Sequence, residues 1–521
     1  MDSTKLKLLA FLVLASFFAI YLGVAAASAQ YEAIAWVTGG AFLGVCLMLG
    51  KNVWILIPST LALQGGVNLL PGMIPPWVFM TVSAGAFFMV RVATGRQRLI
   101  FKWTWMDTGM LLIAITILQA MLRNPVGLRA LGGETAGGKP YFLFVFAFVA
   151  YYLINASQPT IKSWRWAVIL YMIFGIGDGM IQAVSALIPE FAQVVGRIYS
   201  NVSFDEAMGQ GIGYDIAERR FGFLQQIGSV LGLVACSFWR PVAALNLSKP
   251  WQGVTAGLAV AFLLLSGFRS GVAALAVNFW VGSAIRRKGL DVVIVGVLAI
   301  LVVVFIAGSG MSSRLPFGIQ RVLTAVPIDM DLDARAESQA ENSSEDRFEM
   351  WRIALESDRY IHNKILGDGF QFSATEINAM SESRIKGSSI RNVSFVERSL
   401  AVGSYHGFHV ETIRYTGIIG LMAATFALFV FARYAWRAIQ LHRDTEIWGF
   451  VIFVCMPFMI YPFWYWLIFG SYRAGFPQLI AMAAMVKVAY DFGLANRAAS
   501  ETRDDGQESQ FQDLGIDDDR A

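Results

Sequence analysis

The chain has 521 residues, of which 56% are hydrophobic and 15% are charged, and its formal net charge is +4 at pH 7. Soluble domains carry about 25% charged residues, so this composition excludes an ordinary soluble protein. A net charge this small gives no indication of a nucleic-acid partner. The basic residues instead fall in short segments between apolar runs, a pattern that reports membrane topology.

Apolar runs of about 20 residues, the length that crosses a hydrocarbon core about 30 Å thick, recur along nearly the whole chain. They predict an all-α integral membrane protein, a polytopic helical bundle of about 14 transmembrane helices with one large extracytoplasmic loop. The predicted spans are, in chain order and to within about two to four residues, 6–27, 32–50, 53–70, a span ending near Arg91, 104–122, 140–155, 164–187, 221–239, 251–266, 269–285, 290–309, 408–432, 447–469 and 474–492.

Three clusters of basic residues set the predicted orientation of these spans. They follow Arg91, Arg286 and Arg433, and alternate counting of the spans places all three on one side of the membrane. Because basic loops are retained in the cytoplasm, that side is predicted to be cytoplasmic, with both chain termini on it. The polar segments 188–220 and 310–405 are then expected on the outer side.

The chain is accordingly divided into four regions. Residues 1–309 are predicted to form a transmembrane region of about 11 helices, 310–405 a large, partly helical periplasmic loop, and 406–493 the C-terminal transmembrane helices. The acidic segment 494–521 is expected to be a disordered cytoplasmic tail. The first apolar run ends in Ala27-Ser28-Ala29, which resembles a signal peptidase site, but its length favours an uncleaved helix.

The cysteines give no indication of a disulfide framework or a metal site. Cys46, Cys236 and Cys455 all fall inside apolar spans without paired spacing, so they are interpreted as small buried residues. The sequence also lacks a glycine-rich phosphate loop and an acidic Asp-x-Asp element that would hold a metal. No metal and no cofactor are therefore predicted.

Arginines at the ends of predicted spans are the first candidates for a binding site. Arg219 and Arg220 directly precede the span at 221–239. They are expected either to reach lipid headgroups as interfacial arginines or to bind an anionic headgroup, since guanidinium contacts phosphate in a bidentate way. Arg269 lies in a very short connection between two spans. An ionisable residue at membrane depth is costly and marks a candidate site, although capping of neighbouring helix ends is the alternative.

A further arginine lies in the large outer segment. Within residues 344–357 apolar side chains recur at helical spacing. This predicts either an amphipathic helix on the membrane surface or a helix of an ordinary outer subdomain. Arg347 belongs to this helix and is a candidate to face the same cavity as the other arginines.

Two of the four histidines stand where the outer segment runs into the span at 408–432. A neutral imidazole takes a proton from an alcohol near pH 7 and is the commonest general base, so His406 is the candidate catalytic residue. The alternative is that His406 provides a hydrogen-bond partner for backbone groups at the start of the helix. His409, three residues later, is expected near the same helical face, where it either assists or packs. His362 is predicted to be a loop residue, and His442 a solvated residue of a cytoplasmic loop.

One carboxylate falls inside a predicted span. Asp178 stands within a Gly-Ile-Gly-Asp-Gly sequence in the span at 164–187. Such a group could indicate a broken helix of the kind that secondary transporters use to bind their substrates. Asp178 therefore motivates the alternative hypothesis that the protein is a transporter.

Taken in order, these features resemble the O-antigen ligase and polymerase family of bacterial inner-membrane enzymes over roughly Arg219 to Leu421. An arginine precedes Phe-Gly-Phe, a Ser-x-x-Arg-Ser element opens a span, Arg-x-x-x-Trp and Gly-x-Gly lie in the outer segment, and a histidine precedes a Gly-Ile-Ile-Gly-Leu helix. The corresponding residues are Arg220–Phe223, Ser266–Ser270, Arg347, Trp351, Gly367, Gly369, His406 and Gly417–Leu421. The family often has asparagine after the histidine, where this chain has Gly407.

The resemblance implies a metal-independent, inverting glycosyltransferase of the bacterial inner membrane that acts in cell-surface polysaccharide synthesis. It would move a glycan from undecaprenyl diphosphate to an acceptor hydroxyl on lipid A core, a growing polysaccharide or a protein. The diphosphate would lie against Arg220 and Arg269, with Arg219 and Arg347 nearby, and His406 would act as base. The alternatives are a transporter or flippase of a lipid-linked oligosaccharide, with Asp178 as coupling site, and a scaffold protein of a polysaccharide export complex.

Overall fold

The fold is known from a computed structural model. It describes residues 31–67, 74–99, 101–126, 137–200, 220–371, 396, 399–400, 403, 405–468 and 470–513. Within these residues the chain is mostly helical. Its α-helices are α1 (Tyr31–Leu49), α2 (Leu56–Leu61), α3 (Pro76–Ala93), α4 (Trp105–Arg123), α5 (Gly138–Ala156), α6 (Ile161–Leu187), α7 (Pro189–Ile198), α8 (Gly222–Phe238), α9 (Pro250–Leu265), α10 (Arg269–Ile285), α11 (Gly289–Gly308), α12 (Phe317–Leu323), α13 (Ala334–Glu356), α14 (Phe408–Leu441), α15 (Trp448–Leu467) and α16 (Gly475–Asp513).

Other regular structure in the described residues is short. Strands β1 (Gly66–Val67) and β2 (Tyr199–Ser200) pair antiparallel, with Gly66 opposite Ser200 and Val67 opposite Tyr199. Three 3₁₀ turns connect helices. The first, Gly50–Ile55, joins α1 to α2.

The described residues contain nine helical segments that are long and apolar enough to cross a membrane, as in a multi-pass membrane protein. Helices α8 and α9 are apolar but shorter. These findings confirm a helical, membrane-type fold. The count of about 14 spans, the sidedness of the loops and the location of both termini stay predictions. Residues 39–61 form one candidate span, where the sequence suggested a turn at Lys51 and Asn52 between two.

The core of the bundle is built around α14, which packs against α4, α15 and α16. Small residues allow the closest of these approaches. A Cβ atom added at Gly109 of α4 would lie 3.2 Å from the Cα and Cβ atoms of Ala427 in α14. Without a hydrophobic driving force between helices in lipid, such close van der Waals packing is a main source of helix association.

Helix α4 begins at a polar anchor. The Asp107 carboxylate accepts hydrogen bonds from the backbone N–H of Thr104 at 2.7 Å and from its hydroxyl at 2.6 Å, which caps the helix. The same oxygen lies 2.8 Å from the Lys487 ammonium of α16, and both side chains are buried. A buried charge is tolerated only when it is paired, so this ion pair fixes α16 against the start of α4.

Two sequence predictions differ from the observed helices. Helix α6 runs through Asp178 without the break that its glycine-rich sequence suggested. Helix α16 continues to Asp513, across residues from 494 onward that were expected to be a disordered tail. The bounds of helix α10 match those predicted for a span at 269–285, but α10 is not among the nine candidate spans of the described residues.

Candidate functional site

The first part of the site is the junction between the start of α8 and the α9–α10 turn. The backbone N–H of Phe221 donates to the carbonyl oxygen of Ser266 at 3.2 Å. The Arg220 guanidinium carbon lies 5.5 Å from the centre of the Phe268 ring, a cation–π distance. Arg269 follows directly and is the first residue of α10. Arg220 and Arg269 are therefore brought to one place by adjacent segments, whereas Arg219 lies outside the described residues.

Helix α12 of the outer segment is seated on this turn through two glycines. Gly267 has φ +73°, a left-handed conformation that glycine adopts readily. A Cβ atom added at Gly267 would lie 3.4 Å from the Cα of Gly318 in α12, and one added at Gly318 would lie 2.8 Å from the carbonyl oxygen of Leu265. Helix α12 packs in turn against α13. The two helices therefore lie close to the α9–α10 turn.

Arg347 lies on α13 and faces the same place. Burial lowers the pKa of its guanidinium, and the positive charge of Arg269 lowers it further. Two like charges influence each other in this way only when they are close. Arg347 therefore lies near Arg269, although almost eighty residues of sequence separate the two.

His406 adjoins this group. Burial lowers the pKa of its imidazole, and the nearby positive charge of Arg347 acts in the same direction. Both effects favour the neutral ring at pH 7, the form that accepts a proton. His406 also has φ +50°, an uncommon conformation for a residue with a Cβ. Backbone strain of this kind clusters at functional sites.

Trp351 fixes the backbone on either side of His406. It stands one helical turn after Arg347 on α13 and donates its indole N–H to the carbonyl oxygen of Tyr405 at 2.7 Å. A Cβ atom added at Gly407 would lie 2.7 Å from the same indole nitrogen. The close approach of Trp351 therefore requires glycine at 407.

Directly after the site, α14 is broken at Gly417, which has φ +74° and ψ −177°. The break leaves N–H groups of α14 without partners inside the helix, and carbonyl groups from residues 364 and 365 accept their hydrogen bonds. The N–H groups of Ile418 and Ile419 donate to the carbonyl oxygens of Lys364 and Ile365 at 2.8 and 3.3 Å. Buried backbone groups must be satisfied in this way at membrane depth.

We call residues 364–369, which cross the break, the crossing turn. On its other side, the N–H groups of Asp368 and Gly369 donate to the carbonyl oxygens of Arg414 and Tyr415 at 2.7 and 3.0 Å. Arg123 at the end of α4 donates to the carbonyl oxygen of Gly367 at 2.6 Å. The crossing turn therefore joins the outer segment to α4 and α14.

His409 packs between aromatic rings. Its ring centre lies 4.6 Å from that of Trp351, in an edge-to-face arrangement, and 6.0 Å from that of Trp466, in a parallel one. Its buried Nδ1 atom has no hydrogen-bond partner within the described part of the chain. Of the two roles predicted for His409, these contacts support packing.

Sequence reasoning missed Glu411, which lies two residues after His409 on the first part of α14. Its buried carboxylate accepts hydrogen bonds from the Ser471 hydroxyl at 3.0 Å and the Tyr472 backbone N–H at 2.8 Å. This anchors the broken half of α14 to the connection between α15 and α16. A carboxylate inside an apolar run was the signal that could have identified it.

The two remaining histidines lie apart from the arginine group. The side chain of His362 is exposed, as expected of a loop residue. The prediction that His442 is solvated was wrong, because its side chain is fully buried. Its Nε2 atom lies 2.8 Å from the carbonyl oxygen of Ala489, so the imidazole joins the end of α14 to α16.

Asp178 is enclosed in a hydrogen-bond network. Its carboxylate accepts from the Tyr199 hydroxyl at 2.5 Å, from the Gln182 amide at 2.9 Å and from the Gln64 backbone N–H at 3.4 Å. The residue lies in a continuous helix. This arrangement joins α6 to β2 and to the segment that follows α2, and it gives Asp178 a structural role.

Comparison with known proteins did not identify a relative. No protein-family model matches the chain, and no curated protein matches it. The candidate site therefore stands on its own residues: Arg220, Arg269, Arg347 and His406, contributed by four separate segments and gathered at one end of the bundle.

Proposed function

We propose that this protein is a membrane glycosyltransferase of the O-antigen ligase and polymerase type, located in a bacterial inner membrane. It transfers a glycan from undecaprenyl diphosphate to an acceptor hydroxyl at the periplasmic face, in the synthesis of a cell-surface polysaccharide. The observation that carries this proposal is the position of Arg347: the charge of Arg269 lowers the pKa of Arg347, and the charge of Arg347 lowers the pKa of His406.

The charges of the site suit a diphosphate. Arg269 and Arg347 place two positive charges near each other, and an anion bound between them is attracted to both. Guanidinium groups bind phosphate oxygens in a bidentate geometry. Positioned cations also stabilise the negative charge that develops on a departing diphosphate. The arginines perform that task without a metal ion.

The neutral His406 supplies the second requirement, a base. It takes the proton of the acceptor hydroxyl while the hydroxyl oxygen attacks the anomeric carbon of the donor sugar. The new bond joins the acceptor oxygen to the anomeric carbon. The bond from that carbon to the phosphate oxygen breaks, and its electron pair leaves with undecaprenyl diphosphate. Attack opposite the leaving group inverts the anomeric configuration.

The test measures release of undecaprenyl diphosphate by purified protein in nanodiscs that contain a lipid-linked glycan and a candidate acceptor. Release by the wild type is expected to survive EDTA and to disappear in His406→Ala, while donor binding remains. His362→Ala, a change at an exposed histidine of the same segment, serves as control. Turnover retained in His406→Ala would rule out its role as base. Movement of the glycan between leaflets without release would favour the transporter.

The role of Arg269 is tested by donor binding to Arg269→Ala and Arg269→Lys. A hydrogen bond to a charged group contributes about 1.5–3 kcal/mol, so alanine is expected to weaken donor binding by about 10- to 100-fold. Lysine retains the charge and is expected to weaken binding less. Arg314→Ala, at an exposed outer position, is the control. Equally small effects of both changes at 269 would assign this arginine a purely structural role.

A further inference from the structure

A cavity of about 320 Å³ opens between α6, α8, α15 and the segment that follows α2. This volume lies at the lower end of the range for small-molecule sites, about 300–1,000 Å³. Its polar lining includes Gln64, Gln225, Gln226 and Ser229, and Tyr171 and Phe453 line it as well. Val230 and Leu233 also line it, so the lining is part polar and part apolar. An acyl chain alone would leave its polar groups without partners, which is unfavourable.

The cavity adjoins the arginine site. Gly222, the first residue of α8, lines the cavity and follows Arg220 by two positions. Gln225, one turn further along α8, reaches the first turn of α10. Its amide nitrogen lies 3.7 Å from the position of a Cβ atom added at Gly271, two residues after Arg269. When the anionic group of a ligand lies against the arginines, the adjoining portion of the ligand can therefore enter this cavity.

The lining of the cavity is neutral, and part of its hydrogen-bonding capacity is unused. The Gln226 amide is engaged: it donates to the carbonyl oxygens of Ala62 and Gly175 and accepts from Gln182 at 2.9 Å. The side chains of the half-buried Gln225 and the exposed Ser229 show no hydrogen bond within the described part of the chain. An amide and a hydroxyl each donate and accept, so together they match ligand groups that do both.

We propose that this cavity binds a neutral saccharide unit, that of the lipid-linked donor. Sugar hydroxyl groups both donate and accept hydrogen bonds, as Gln225 and Ser229 do. The half-buried ring of Tyr171 packs edge-to-face on the buried ring of Phe453, with ring centres 6.0 Å apart. The accessible part of Tyr171 offers an apolar surface to the C–H face of a pyranose. The assignment of the sugar to the donor rests on the proposed function, whereas the match to a saccharide rests on the cavity itself.

The test uses the change Ser229→Cys as a reporter inside the cavity. The native cysteines, Cys46, Cys236 and Cys455, are buried, so a neutral, water-soluble maleimide is expected to label the new thiol selectively. The purified full-length protein is labelled with and without methyl glycosides of glucose, galactose, mannose and N-acetylglucosamine. Thr255→Cys, at a partly exposed position of α9 that does not line the cavity, is the control.

At least one glycoside is expected to slow labelling of Ser229→Cys by about 10-fold at a concentration of about 10 times its Kd, without affecting Thr255→Cys. Adding Gln225→Leu is expected to remove this protection, and Gln225→Asn to retain part of it. Thermal unfolding of each variant checks that it is folded. Protection that survives Gln225→Leu, or no protection by any of the four glycosides, overturns the proposal.

A second arm separates the cavity from the proposed function. Lipid-linked glycan is expected to protect Ser229→Cys more strongly than the free glycosides, and Arg269→Ala is expected to reduce this advantage. Protection by glycosides alone, with no gain from the lipid-linked glycan and no effect of Arg269→Ala, overturns the assignment to the donor. In that case the saccharide site stands while the diphosphate site of the proposed function fails.

Discussion

Replacement of Gly417 by alanine is expected to destabilise the break in α14 beside the candidate site. The backbone at this position has φ +74° and ψ −177°, a region open essentially to glycine, where another residue costs about 1–3 kcal/mol. A Cβ atom would also overlap the carbonyl group of Ile365. The crossing turn must then move, which endangers the two hydrogen bonds from Ile418 and Ile419, each worth about 0.5–1.5 kcal/mol. The expected loss is about 2–6 kcal/mol.

The free energy of unfolding is measured in detergent micelles by titration with a denaturing detergent and intrinsic tryptophan fluorescence. Gly296→Ala on α11 is the matched control, since a Cβ atom there meets no atom within 4 Å. Alanine in a helix interior is favoured over glycine by about 0.5–1 kcal/mol, so this control is expected to be neutral or slightly stabilising. An unfolding free energy of Gly417→Ala within about 0.5 kcal/mol of wild type would refute the argument that the break requires glycine.

Two further predictions follow from charged groups. Lys487→Met leaves the buried Asp107 carboxylate without its ammonium partner and is expected to cost about 3–5 kcal/mol of unfolding free energy. Lys487→Met combined with Asp107→Leu should recover all but about 1 kcal/mol, the value of the lost cap on α4; equal losses in both variants would contradict this. Because the pKa of His406 is lowered from 6.5, transferase activity should persist at pH 6.5 and fall only at lower pH, as the imidazole becomes protonated. The same shift reduces stability as the pH falls below about 6.5, since the unfolded chain binds this proton more readily. Arg347→Gln removes the positive charge that lowers the pKa of His406, so it should move the acid limb of the kcat/KM profile to higher pH. An unchanged midpoint would show that Arg347 does not influence the protonation of His406.

The helices themselves were largely predictable from the sequence. The prediction at 269–285 coincides with α10 and that at 447–469 lies close to α15, because a long apolar run bounded by polar residues leaves few choices for its ends. The break at Gly417 was not predicted. It is stabilised by carbonyl groups of the crossing turn, some fifty residues earlier in sequence, and no local pattern records such a contact.

The errors have the same origin. His442 is followed by Arg443 and Asp444, which suggested a solvated loop. It is buried because the carbonyl oxygen of Ala489, on α16, lies within hydrogen-bonding distance of its ring. Asp178 suggested a broken helix, yet Tyr199 and other polar groups from outside α6 satisfy its carboxylate, so the helix continues. In each case a partner distant in sequence decided the outcome.

The candidate site shows why residue order and residue proximity carry different information. The order of Arg220, Arg269, Arg347 and His406 can be found in the sequence. Each residue belongs to a different segment, however, and only contacts between residues distant in sequence bring these segments together. Grouping like charges in a partly buried place is unfavourable by itself. The surrounding fold must therefore hold them, through the glycine contact under α12, the Trp351 bond to Tyr405 and the crossing turn. A fold that gathers these cationic side chains at one end of a membrane-type bundle is suited to bind an anion there, because opposite charges attract strongly in a partly buried place.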